Sequence, residues 1–224
     1  FFCKVVVFAI ATFMAGLPLF SKTIYVAGDA EGLSTGADWE NAFTNIQEAV
    51  DASQDGDSLQ VKEGTYKLLA QVAITNGLTL RIAGGYTGNG DERGEGYSVL
   101  ARDSSVTSMR IVYIKDSNVI MDGLVVSNGL LCGAAKSSHY GLGVNAVNST
   151  LMITNCIVTK NSDNRHTHNY YGGGLRQSGG TLTIVDSIFS NNVLASATDH
   201  STAYGGAIYA ENVQSDIRNS KFIN

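Results

Sequence analysis

The sequence is poor in proline, cysteine and charged residues. One of its 224 residues is a proline, Pro18, three are cysteines, and 16% are charged. Because proline cannot donate to a strand ladder, nothing after Pro18 interrupts a β-sheet in this way. The net charge is −5, and a nucleic acid partner would require a basic stripe instead. We therefore expect no nucleic acid partner.

An apolar run covers residues 5–20, with Lys4 before it and Ser21 after it. It is short for a membrane span of about 20 residues and fits the core of a secretory signal peptide. We assign residues 1–21 to an N-terminally incomplete signal peptide cleaved near Ser21, with an uncleaved anchor as the alternative. We expect no membrane span in the mature fragment.

One short pattern recurs through the second half of the chain. Residues 153–161, 184–192 and 217–224 are copies of it, and residues 120–128 form a weaker copy. A Tyr-Gly marker follows the same interval of 31 to 33 residues, at Tyr140, Tyr171 and Tyr204. Two markers with one period indicate stacked structural units.

The composition of the repeats favours strands over helices. The segments are rich in Ile, Val, Thr, Ser, Asn and Gly and alternate with period two, which excludes two-helix repeats of similar length. The sequence predicts an all-β fold, a right-handed parallel β-helix (solenoid) with a short N-terminal capping helix. The β-helix domain covers residues 22–224, with the cap and first coils at 22–118 and the repeats at 119–224. The repeat register ends within a coil, so we expect the domain to be truncated at the C-terminus.

A helix over about residues 45–53 is expected to close the N-terminal end of the β-helix. Thr44 and Gln47 have the spacing of a capping box, with Thr44 as the N-cap residue. The apolar residues of this segment fall on one helical face: Phe43, Ile46, Ala49 and Val50.

The repeat alignment also predicts the core. We expect two columns of side chains to point inward: Ile120, Ile153, Ile184 and Ile217, and Val125, Val158, Phe189 and Phe222. Cys132 and Cys156 are closer in sequence than one repeat, so both are expected to be free thiols. In this alignment Cys156 is a small core residue and lies in one column with Gly123.

Two groups of segments resemble known families. Residues 205–208 (GGAI) with 189–192 (FSNN) resemble the repeats of polymorphic outer-membrane proteins. The upstream segments 24–26, 38–43, 56–61, 63–66 and 80–86 resemble the N-terminal cap and first coil of secreted β-helix proteins of the pectin-lyase-like superfamily. The resemblance implies a β-helix that is secreted or located on the cell surface, at a bacterial outer membrane. It does not imply one activity, because this fold occurs in lyases, hydrolases, adhesins and stalks.

The recurring asparagines are interpreted as structural. Asn128, Asn161 and Asn192 lie at strand ends one repeat apart, where amide side chains can form a hydrogen-bonded ladder. Recognition of a sugar by exposed asparagines is the alternative.

The candidate ligand-binding edge combines the tyrosine column with the loops before it. The residues assigned to it are Tyr140, Tyr171, Tyr204, Arg165, His166, His168 and His200. Tyrosine rings beside polar side chains are suited to a sugar chain, although stacked aromatic residues also stabilise a coil without any ligand. The histidines lie at unequal distances from their Tyr-Gly markers, so we assign no metal site.

No catalytic motif is recognised in the sequence. Asp122 and Asp186 occupy a position where asparagine also stands, and are expected to be turn residues. We expect a non-enzymatic, adhesin-like or glycan-contacting surface protein with no cofactor, whose partner is a polysaccharide or a host or cell-surface glycan. The alternatives are a polysaccharide lyase or glycoside hydrolase, the lyase being the only case with a place for Ca²⁺, and a passive stalk. The oligomeric state is left open.

Overall fold

The computed structural model describes residues 21–131, 139–163, 170–194 and 202–223. The chain winds into a right-handed parallel β-helix of about six turns, as the sequence predicted. The named strands pair in parallel with the strands of adjacent coils, so the sheets run along the stack of coils.

The described strands form three sheets. The first contains β1 (Thr23–Val26), β2 (Ser58–Lys62), β4 (Val72–Ile74), β5 (Thr79–Tyr86), β7 (Val112–Lys115), β8 (Asn118–Asp122), β11 (Val144–Thr154), β14 (Leu175–Val185), β17 (Ile208–Glu211) and β18 (Gln214–Arg218). The second contains β3 (Gly64–Leu68), β6 (Ser98–Arg102), β9 (Leu124–Ser127), β12 (Ile157–Thr159), β15 (Ile188–Ser190) and β19 (Lys221–Ile223). The third contains β10 (His139–Tyr140), β13 (Tyr170–Tyr171) and β16 (Ala203–Tyr204).

The two longest strands, β11 and β14, turn a corner of the coil. Their backbone has positive φ at Asn148 (48°) and at Gly179 (73°). The part of β11 before this corner pairs with β7, and the part after it pairs with β8. The corner therefore separates two outward faces of the first sheet.

The core columns of the regular repeats are confirmed. Ile153, Ile184 and Ile217 are in register, and Ile153 and Ile184 are fully buried. Phe189 and Phe222 stack with ring centroids 5.4 Å apart. Ile217 and Phe222 keep this register but are 44% and 47% exposed, because they lie on the last described coil.

The alignment of the weak fourth copy was wrong by one residue. Met121, not Ile120, pairs with Ile153, and Val126, not Val125, pairs with Val158. Met121 is 1% exposed, whereas Ile120 is 38% exposed. A shift of one residue moves every side chain of a strand to the opposite face. The misalignment therefore assigned the exposed residues of this strand to the core and the buried ones to the surface.

The same correction applies to the turn that follows β8. Gly123 with φ of 65° aligns with Asn155, Asp186 and Asn219, whose φ is near 50°. Leu124, not Gly123, therefore shares a column with Cys156. Cys156 is a buried free thiol, as expected, and Cys132 lies outside the described residues.

The capping helix α1 (Ile46–Asp51) closes the N-terminal end of the core. Ile46, Ala49 and Val50 are buried against the first coils, and Phe43 packs beside them. The N-cap residue is Asn45 and not Thr44, since the Asn45 side chain accepts the N–H of Gln47 at 2.8 Å. In the part of the chain that the structure describes, no helix has the length and apolar character needed to cross a membrane.

Candidate functional site

The three tyrosines of the Tyr-Gly markers form a continuous stack on the third sheet. Tyr140, Tyr171 and Tyr204 are in register, with ring centroids 5.2 Å and 5.1 Å apart and interplanar angles of 26° and 13°. We call these three residues the tyrosine stack.

The glycine after each tyrosine allows the chain to turn directly into the next strand. Gly172 has φ of 68°, and a Cβ at this position would lie 2.1 Å from the carbonyl oxygen of Leu175. A side chain cannot be accommodated there, which explains why glycine follows the tyrosine in every copy.

Stacking determines which parts of the tyrosines remain available to a ligand. The ring faces between adjacent coils cover each other, so these faces are closed to a ligand. Tyr204, on the last described coil, stacks on one side only and is 45% exposed. Along the stack a sugar would therefore meet ring edges and phenol groups, and at Tyr204 it could also meet a ring face.

A row of polar side chains runs beside the tyrosine stack, on the outward face of the first sheet. It consists of Tyr113, Asn145, Arg176 and Tyr209, which are register partners on β7, β11, β14 and β17. We call these four residues the arginine row.

Arg176 connects the arginine row to the tyrosine stack. Its guanidinium carbon lies 4.3 Å from the centroid of the Tyr140 ring, a cation–π contact. Arg176 also forms an ion pair with Glu211 and donates to Oδ1 of Asn145 at 3.4 Å. The arginine side chain is only 12% exposed, so these contacts hold it in place.

Tyr209 and Glu211 complete this surface at its C-terminal end. The Tyr209 ring meets the edge of Tyr171 at 5.0 Å between centroids, and its hydroxyl lies 3.2 Å from Oε2 of Glu211. Hydrogen bonding by Ser178 and the neighbouring Arg176 hold the pKa of Glu211 below its ordinary value. Glu211 is therefore an ionised acceptor at neutral pH.

The other residues predicted for the ligand-binding edge are not described. Arg165, His166, His168 and His200 lie outside the described residues. No group of three or more His, Cys, Asp or Glu side chains in the described ranges could hold a metal ion.

The asparagine ladder lies inside the coil. Asn161 donates from Nδ2 to Oδ1 of Asn192 at 3.0 Å, and both residues are almost completely buried. Asn128 does not belong to this column, because the residue that aligns with Asn161 is Gly129, which donates its N–H to Asn161 Oδ1 at 2.8 Å. Asn128 lies one position earlier, in a turn with φ of 67°.

A second charged network joins the loop after β5 to the coil. Asp122 accepts from Arg81 at 2.6 Å and from both terminal nitrogens of Arg93, at 2.9 and 3.1 Å. Burial acts to raise the pKa of Asp122, but the hydrogen bonds from Arg93 and Asn155 outweigh it and hold the pKa low. Asp122 is thus an anchor between coils, rather than a free acid or base.

The arginine row was missed in the sequence, although a signal for it exists. Asn145, Arg176 and Tyr209 each stand four positions after the glycine of a Tyr-Gly marker. Alternation along the strand then turns them to the side opposite the buried Val144 and Leu175. Tracing this fixed offset through the repeats would have placed them in one row.

The chain was compared with known proteins. No family model matches the sequence, and no curated protein is significantly similar to it. Among solved structures, the pectate lyase Pel9A is similar with a TM-score of 0.47 and 15% identity, covering 89% of this chain and 62% of the lyase. A rhamnogalacturonan lyase is similar with a TM-score of 0.45 and 11% identity, covering 89% and 68%. The chain thus spans less than two thirds of the pectate lyase, and the similarity concerns the path of the backbone alone.

Proposed function

We propose that the chain is an exported, non-enzymatic β-helix protein that contacts a polysaccharide or a cell-surface glycan. The contact surface is the tyrosine stack together with the arginine row. One observation carries the proposal: three stacked tyrosines present their edges beside Arg176, Tyr209 and Glu211.

The chemistry of this surface matches that of a sugar chain. Sugar hydroxyls both donate and accept hydrogen bonds, and the surface offers phenol hydroxyls, guanidinium donors and the ionised carboxylate of Glu211. Aromatic edges beside these groups can contact the apolar C–H groups of a sugar. The side chains belong to paired strands, so they are fixed in position before any ligand binds.

The lowered pKa values of Glu211 and Asp122 speak against a general-acid role for these two carboxylates. A general acid at neutral pH needs a raised pKa, whereas the pKa values of Glu211 and Asp122 are lowered by their partners. A lyase or hydrolase, with Ca²⁺ in the case of the lyase, stays as the alternative that the experiment below tests.

A glycan array followed by calorimetry tests the proposal. We expect the chain to bind a subset of glycans and Tyr171→Ala to weaken that binding about tenfold or more, corresponding to about 1.4 kcal/mol. Tyr171→Phe keeps the ring and removes the hydroxyl, so it separates the two contributions. Tyr97→Ala is the matched control, because Tyr97 is also exposed and lies just before β6, outside this surface.

Three results would contradict the proposal. Equal binding by the wild type and Tyr171→Ala excludes the tyrosine stack as the contact surface. Absence of binding to any glycan favours the passive stalk. Release of shorter or unsaturated chains from a bound polysaccharide, with or without added Ca²⁺, identifies an enzyme.

A further inference from the structure

Arg176 of the arginine row and a second arginine beside the row carry two positive charges, of which Glu211 balances one. Arg176 is paired with Glu211, and one of its donors, Nε, is buried without a hydrogen-bond partner. A second arginine, Arg110, lies at the start of the row with its guanidinium carbon 5.5 Å from the centroid of the Tyr113 ring.

Arg110 is half-buried, and no carboxylate among the described residues lies within ion-pair distance of it. Burial is the main cause of its lowered pKa, and the charge of Arg176 acts in the same direction. Geometry places the two arginines on the same face: Arg110 lies over the Tyr113 ring, and Arg176 donates to Asn145, the register partner of Tyr113 on the adjacent strand.

A second cation beside the Arg176–Glu211 pair, in a partly buried place, is unfavourable unless a further anion joins it. Guanidinium groups favour oxyanions, because two of their N–H donors can pair with two oxygens of a carboxylate or of a sulfate group. The Tyr113 ring is a neutral group next to the cations, whereas Asn145 is only 4% exposed and holds Arg176 through its Oδ1. These surroundings suit a sugar ring that carries the anionic group.

We propose that Arg110 and Arg176, with Tyr113 and Asn145 between them, form a subsite for the carboxylate or sulfate group of an acidic sugar. This inference rests on the proposed function, since it specifies the class of glycan that the same surface contacts. The tyrosine stack then contacts the neutral part of the chain, and the arginine pair selects for charge.

Three soluble polymers with one backbone test the subsite: dextran, carboxymethyl-dextran and dextran sulfate. We expect the wild type to bind at least one anionic polymer about tenfold or more tightly than dextran, with the preference decreasing as NaCl is raised. Arg110→Gln should bring the ratio of anionic to neutral binding close to one, because only the anionic polymers carry the group that Arg110 contacts. Arg110→Lys should retain part of the preference, because lysine keeps the charge without the planar fork.

Arg218→Gln is the matched control, because it removes the same charge from an exposed arginine on β18 that pairs with Asp216. It should leave the ratio unchanged, and thermal melting of each variant checks that it folds. Equal binding to all three polymers overturns the anionic subsite and leaves glycan contact standing. A preference that Arg110→Gln does not reduce also overturns it. Absence of binding to every polymer, together with a negative array, overturns both proposals.

Discussion

Replacement of Asn161 by alanine should be among the most destabilising changes to a polar residue in this chain. Asn161 is fully buried, and its side chain forms three hydrogen bonds that join three coils. Its Oδ1 accepts from Gly129, while its Nδ2 donates to the carbonyl of Val126 at 3.1 Å and to Oδ1 of Asn192.

The magnitude follows from what alanine leaves behind. The N–H of Gly129 and the carbonyl of Val126 would lose their side-chain partner in a buried environment, and each such group costs about 1–3 kcal/mol. Asn192 Oδ1 is affected less, because it still accepts the backbone N–H of Asn161 at 3.2 Å. The expected loss in the free energy of unfolding is therefore about 2–6 kcal/mol.

Urea denaturation followed by circular dichroism measures this loss. Asn89→Ala is the control, because Asn89 is exposed in a loop and should change stability by less than about 0.5 kcal/mol. A loss below about 1 kcal/mol for Asn161→Ala, or one equal to that of the control, would show that the ladder is not a stabilising element.

Asn161→Asp tests the direction of the hydrogen bonds. Aspartate can still accept from Gly129, but when ionised it meets two acceptors, the Val126 carbonyl and Asn192 Oδ1. Its pKa in the folded state should therefore rise above the unfolded value of about 3.9. Relative to the wild type, the variant should be most stable below the unfolded pKa and should lose stability as pH rises through the folded pKa. A stability difference independent of pH would contradict the assigned donors.

Three further predictions follow from the packing and the charges. Met121→Ala should lower the free energy of unfolding by about 2–5 kcal/mol, and Ile120→Ala by less than about 1 kcal/mol, because only Met121 is buried; equal midpoints in urea would contradict the register. Because the pKa of Asp122 is lowered, this residue contributes stability above its unfolded pKa, and the contribution is lost as pH falls through the folded pKa. Asp122→Asn should therefore remove this part of the pH dependence of stability, measured between about pH 2 and 6. A pH profile equal to that of the wild type would contradict this prediction. Burial raises the pKa of Cys156 to about 12, so peptide mapping after iodoacetamide treatment should find Cys156 unmodified in the native protein and alkylated in urea; rapid native alkylation would show that the thiol is accessible.

The fold was predictable because the repeats that supply the regular core columns also have a regular sequence pattern. Ile153 and Ile184 fall in identical strand–turn–strand segments, and the structure pairs them directly. The weak copy was misaligned because asparagine was matched with Asp122, whereas the turn needs positive φ and takes Gly123 there. The residues of that column share a backbone conformation with positive φ, and not a polar side chain.

The candidate site was less predictable, because it depends on distances between coils. The tyrosines were found since they recur as a marker, but Arg176 occurs in one copy only, where the neighbouring copies have Asn145 and Tyr209. A residue that differs in each repeat gives no periodic signal. The contact of Arg176 with Tyr140 depends on the register of adjacent strands, which cannot be read directly from the sequence.

The repetition of the tyrosine stack shows how such a surface could be lengthened by additional coils. Each of the three coils with a Tyr-Gly marker supplies one tyrosine and one member of the arginine row, and equivalent residues lie about one strand spacing apart. Duplication of a single coil would add one contact unit and leave the existing units unchanged. The length of ligand that the surface can span is therefore set by the number of coils, while the chemistry at each step is set by one variable side chain.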